Sequence, residues 1–137
     1  MRLLIIEDEK RLSAVLKKGF TEQGFAVDQA FDGEEGLSLL QQNKPDLILL
    51  DLIMPKKSGF EVLEAISMDP ELNKIPVMIA SNLGQDSDIQ KAKSLGAIEY
   101  YVKVRTSIDE LAKLVKNVIQ RPAGSTAASV VPAQPAT

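Results

Sequence analysis

The chain has no cysteine and no histidine among its 137 residues. Disulfides, thiol nucleophiles and the usual zinc sites are thereby excluded. So are a Ser-His-Asp triad and any imidazole acting as general base. A metal here must be held by oxygen, which favours Mg2+ or Ca2+. There is no excess of positive charge either: the net charge is −3 and the pI about 5.0. A nucleic-acid footprint needs clustered Lys and Arg on one face, so no direct nucleic-acid binding by this chain is expected. No apolar run is long enough to span a membrane. The opening MRLLIIEDEK turns acidic too early for a signal peptide, so the expected location is cytoplasmic.

What remains is ordinary globular material, 45% apolar and 26% charged, and enough of it for one domain with a real core. Five short apolar runs stand out, at residues 3–6, 25–30, 47–50, 77–80 and 98–102. Between them apolar residues recur at three- and four-residue steps, which predicts helices over 9–23, 33–42, 59–68, 86–95 and 106–120. Gly24 and Gly96 follow two of these as stop signals. Ser58 is positioned to cap the third helix, and Asp69-Pro70 ends it. Thr106 with Asp109 reads as a capping box for the last helix, with Asp in place of Glu. Strand then helix, repeated, predicts an α/β fold with a parallel sheet covered on both faces. Domain organisation follows: residues 1–121 form the folded unit, and 122–137, uncharged and rich in Pro, Ala, Ser and Thr, form a disordered tail or linker remnant.

In an open α/β sheet the ligand site lies beyond the C-terminal strand ends. The first run delivers Glu7-Asp8-Glu9 there, the third Asp51, the fourth Ser81-Asn82 and the fifth Lys103. Each has a plainer reading alone. The three acids suit a first helical turn, Asp51 a turn cap, Ser81 and Lys103 solvated loop ends, and Tyr100 a core ring with its hydroxyl exposed. Taken together, three carboxylates in one place repel one another unless a cation offsets them. A divalent ion beside one nucleophilic carboxylate, with an ammonium and a hydroxyl for the equatorial oxygens, is a phosphoryl-transfer arrangement.

The stretches IIEDE at 5–9, DLIMPKKSG at 51–59, VMIAS at 77–81 and LGAIEYYVK at 95–103 resemble, in order and spacing, the response-regulator receiver domain of two-component signalling. The resemblance covers about residues 1–120. It implies a flavodoxin-like (βα)5 doubly wound parallel sheet of order 2-1-3-4-5. It assigns Asp51 as phosphoacceptor, and Asp8, Glu7, Asp51 and the backbone carbonyl of Ile53 as Mg2+ ligands. Lys103 would pair with the phosphoryl group and Ser81 would hydrogen-bond it. Tyr100 would be the aromatic switch that turns inward as Ser81 moves. A sensor histidine kinase or phosphotransfer protein is the implied donor. The implied output is a change of the helix 4–strand 5–helix 5 face toward an effector protein or an output domain outside this chain, with a homodimer through that face as a further use. The chain would catalyse its own aspartyl phosphorylation and dephosphorylation without turning over a separate substrate, and so would not be an enzyme in the usual sense.

Four departures from the family pattern are visible. Val104 replaces the usual proline after the lysine, so a trans Lys103-Val104 bond is expected, since a cis one costs about 3 kcal/mol. Ser81 replaces threonine and Asn82 a small residue. Ile53 and Leu83 are apolar where the family flanks the attacking water, which predicts slow loss of phosphate. A degenerate receiver that is never phosphorylated is the alternative function. A flavodoxin-type carrier would want a glycine- and hydroxyl-rich first loop, and a dehalogenase-type phosphatase a second acid two residues after Asp51. The chain has neither.

Overall fold

The computed structural model describes residues 1–52, 54, 57–81, 86–102 and 107–120. Within them strand and helix alternate: β1 (Arg2–Ile6), α1 (Lys10–Glu22), β2 (Ala26–Ala30), α2 (Gly33–Gln42), β3 (Leu47–Leu50), α3 (Gly59–Met68), β4 (Val77–Ser81), α4 (Asp86–Ser94), β5 (Glu99–Val102) and α5 (Ile108–Gln120). The strands form one parallel sheet in the order β2-β1-β3-β4-β5, as expected.

The central strands β1, β3 and β4 are apolar along most of their length because both faces are buried, whereas β2, at the sheet edge, carries Asp28 and Gln29 and is only partly buried. Alternate residues go to opposite sides. Leu4, Ile6, Ile48, Leu50, Val77, Ile79 and Tyr100 join one core with Leu40, Val62, Leu63, Ile66 and Ala92 of α2, α3 and α4. Leu3, Ile5, Leu47, Leu49, Met78 and Ala80 join the other with Leu16 and Phe20 of α1 and Leu111, Val115 and Val118 of α5.

Helix ends follow local chemistry. At the end of α1, the Phe25 N–H donates to the Phe20 carbonyl at 3.0 Å and the Gly24 N–H to the Thr21 carbonyl at 3.0 Å. Gly24 has φ +96°, which a side chain would disfavour. The rings of Phe20 and Phe25 then meet edge-on, 5.4 Å apart, sealing the turn. The same hydrogen-bond pair closes α4, from Ala97 to Ala92 and from Gly96 to Lys93. Ser58 caps α3 as expected, and Glu61 completes a reciprocal box by accepting from the Ser58 N–H at 2.9 Å.

The expected cap of α5 is corrected by one residue. Ser107 accepts from the Glu110 N–H at 3.2 Å, and Glu110, not Asp109, accepts from the Ser107 N–H at 3.1 Å; Thr106, the expected cap, lies outside the described residues. The physical reason is reach: a Glu side chain at the third helical position extends back to the cap N–H, and Asp is one methylene shorter. The first helix also begins after the acids and not within them. Its first turn holds no acidic residue, and Glu9 makes no side-chain cap. The expected tail, 122–137, and the Lys103-Val104 bond lie outside the described residues.

Candidate functional site

Register brings the first two acids together. Ile6 of β1 lies opposite Leu50 of β3, so the next residue on each strand, Glu7 and Asp51, leaves the sheet side by side. The backbone fixes both. The Asp51 N–H donates to the Ile6 carbonyl at 3.0 Å, and the Glu7 N–H to the Ala30 carbonyl of β2 at 3.0 Å. Parallel pairing thus continues one residue past the strands, and the site inherits the sheet's rigidity.

Asp8 completes the group. Carboxylate oxygens of Glu7, Asp8 and Asp51 all lie within 4.8 Å of one another. Glu7 and Asp51 are buried, 3% and 7% exposed, whereas Asp8 is exposed. Glu7 has a local anchor as well, since its Oε2 accepts from the Glu9 N–H at 3.2 Å just before α1. Buried carboxylates this close are costly without a countercharge. An all-oxygen set open to solvent on one side suits a hard divalent cation that keeps some of its water. The residues present therefore fit Mg2+ or Mn2+.

The remaining expected site residues divide. Ser81 ends β4 and is in register with Val102 at the end of β5, so its backbone is on the same edge of the sheet. Tyr100 of β5 lies opposite Ile79 and is packed in the core at 8% exposure. Lys103, Ile53, Asn82, Leu83 and Val104 lie outside the described residues. Met54, three residues after Asp51, packs into the core under α2, α3 and α4.

One buried acid was not anticipated. Glu99 begins β5 and is 1% exposed. Two residues on, Tyr101 shares its side of the strand, and its phenol is pushed up to about 12, first by burial and then by the charges of Glu99 and Glu110. In the sequence Glu99 interrupts an apolar run, and that interruption was the available signal.

Comparison with known proteins decides the family. The response regulator receiver domain model matches residues 3–116. The chain belongs to the response regulator receiver family. A transcriptional regulatory protein of Bacillus subtilis, YcbL, whose function is uncharacterised, is 38% identical over 119 residues, covering 86% of this chain and 50% of that protein. Among solved structures, the receiver domain of the Francisella response regulator 1452 superposes with a TM-score of 0.80 at 31% identity, covering 87% of this chain and 96% of that one. The Mn2+-bound form of response regulator Rcp1 superposes with a TM-score of 0.73 at 31% identity, covering 85% and 90%. This receiver spans about half the length of the curated relatives it matches. Among the described residues no helix is long and apolar enough to cross a membrane.

Proposed function

We propose that this receiver takes a phosphoryl group onto Asp51 from the phosphohistidine of a sensor histidine kinase or phosphotransfer protein. The observation that carries the proposal is the convergence of Glu7, Asp8 and Asp51 at the ends of β1 and β3. A carboxylate oxygen of Asp51 attacks phosphorus, the P–N bond to the donor imidazole breaks, and an acyl phosphate forms at Asp51. The leaving imidazole takes up a proton from solvent. Attack by a carboxylate oxygen needs no general base, in keeping with a chain that has no histidine.

Glu7, Asp8, Asp51 and the Ile53 carbonyl would hold Mg2+, with Mn2+ in Rcp1 as the supporting case. When bound, the ion supplies positive charge that offsets the carboxylates and the phosphoryl oxygens. Glu7, buried and anchored at the start of α1, fixes one side of that arrangement. Lys103 and Ser81 complete the binding of the phosphoryl oxygens. The new charge draws them inward, and Tyr100 passes the change to the face made by α4, β5 and α5. The response is a population shift between two packings, which requires the phosphoryl group to favour one of them. That face addresses an effector or a transcriptional output domain, or pairs with a second copy. The chemistry is modification of the chain itself, in the cytoplasm, and this receiver does not itself touch DNA.

Intact mass after incubation with acetyl phosphate and Mg2+ is the test. One added phosphoryl group is expected, absent in Asp51→Asn and absent with EDTA. No addition, together with no binding of beryllofluoride, would identify a degenerate receiver instead.

A further inference from the structure

Two glycines lie where the chain leaves Asp51, and neither needs a special backbone angle there. Gly59, the first residue of α3, donates its N–H to the Leu52 carbonyl at 2.8 Å. A methyl group on Gly59 would strike the Asp51 carbonyl oxygen, and would lie 2.5 Å from the Leu52 Cα and 3.0 Å from the Asp51 carbonyl carbon. Gly33, the first residue of α2, is also buried. A methyl group on it would lie 2.6 Å from Val62 Cγ2, 2.8 Å from Lys57 Cβ and 2.9 Å from the Lys57 carbonyl oxygen. Contacts this short force something to move, and a backbone carbonyl cannot swing aside as a side chain can. Lys57 is two residues before Gly59. The line of contact therefore runs from the N-terminus of α2, through the Lys57 backbone, to Gly59 and the Asp51 carbonyl.

We infer that Gly33 is a positioning residue for Asp51: by letting α2 rest directly on the Lys57 backbone, it sets where the connection between β3 and α3 holds the acceptor carboxylate. This rests on the reading of Asp51 as the acceptor beside a metal. The first turn of α2 is built to hold that place. Asp32 caps it by accepting from the Glu35 N–H at 2.8 Å, and Glu35 returns the bond by accepting from the Phe31 N–H at 2.8 Å. A side chain at residue 33 would lift α2 or push Lys57, and the displacement would arrive at a group whose partners must align with it closely. A purely packing role would affect stability alone. Gly19 provides the contrast, because a methyl there would strike the Ile108 side chain between α1 and α5, on the opposite face.

The experiment compares Gly33→Ala with Gly19→Ala in the full chain, at a temperature where circular dichroism shows both folded. It reads the backbone amide signals of Asp51 and Leu52 by NMR without metal, and Mn2+ affinity by electron paramagnetic resonance of the free ion. Gly33→Ala should move the Asp51 and Leu52 signals and weaken Mn2+ binding roughly tenfold, the effect usual for partners that orient metal ligands. Gly19→Ala should lower Tm and leave both at wild-type values. If Gly33→Ala fails to fold, Gly33→Ala/Val62→Ala makes room against α3 and leaves only the press on Lys57 Cβ and the Lys57 carbonyl oxygen. Wild-type signals and wild-type affinity in a folded Gly33 variant would overturn the inference. Phosphoryl uptake by the unaltered chain is scored separately. Its absence would defeat the acceptor reading, while displaced Asp51 signals would still support the role of Gly33.

Discussion

On the face of the sheet covered by α1 and α5, the core is closed by aromatic contact: Phe20 meets Phe25 edge-on, and Lys116 extends over the Phe25 ring at 5.9 Å and reaches Gln23 Oε1 at 3.4 Å. On the face covered by α2, α3 and α4, the helices approach through glycine. Gly33 and Gly36 are both buried, and a methyl on Gly36 would lie 2.5 Å from Ile6 Cδ1. Ile6 immediately precedes Glu7, and Val62 and Lys57 follow Asp51 in chain, so packing on this face reaches the backbone of the acidic group. The far face contributes mainly cohesion. The near face contributes cohesion and placement, and a change there should register in the chemistry as well as in the melting curve.

The largest expected effect on the far face comes from Phe20→Ala. Removing a fully buried ring should cost about 3–5 kcal/mol of stability by chemical denaturation. The folded fraction should still bind Mn2+ with unaltered affinity. A loss of affinity there would erase the distinction between the faces.

Two serine caps sharpen it further. Ser58→Ala and Ser107→Ala remove equivalent caps, one beside the acceptor and one at the start of α5, and each should cost about 1 kcal/mol. Only Ser58→Ala should also slow phosphoryl uptake from acetyl phosphate, because α3 starts where the chain leaves Asp51. Equal rates in the two variants would show that the near face does not transmit placement through the helix start.

A further effect is a pH dependence on the β5 edge. The Tyr101 phenol is held near 12 in the folded chain against an ordinary value of 10.0. The folded state therefore keeps a proton that the unfolded state releases first. The stability this supplies is complete below about pH 10 and is lost as pH rises toward 12. Tyr101→Phe should flatten that part of the stability profile. The chain has two tyrosines and no tryptophan, so absorbance can follow the titration of the phenols directly.

How much of this was legible in the sequence depended on whether the cause was local. β3 at Leu47–Leu50 and α3 at Gly59–Met68 have the bounds that the apolar run, the Ser58 cap and Asp69-Pro70 imply. Convergence of Glu7, Asp8 and Asp51 followed from placing acids at the ends of parallel strands, and the register confirms that placement. The start of α5 was misread because Leu111, Val115 and Val118 define an inward stripe that does not say where the helix begins, and two adjacent residue pairs offered similar capping chemistry. Glu99 was passed over because an acid within a short apolar run carries no sign of which way it faces. The roles of Gly33 and Gly36 were illegible for a different reason. Both look like helix-start or loop glycines, and their close contacts are with residues brought near only by the fold.

The receiver chemistry itself rests on where the phosphoryl group goes. Treat the full chain with acetyl phosphate and Mg2+, reduce with borohydride, which converts an aspartyl phosphate to homoserine, and map the peptides by mass spectrometry. Homoserine at residue 51, and at no other acid, is the expected result. 5-Hydroxynorvaline at Glu7, homoserine at Asp8, or no reduced acid anywhere in a chain that still binds Mn2+, would contradict the assignment of Asp51 as the phosphoacceptor.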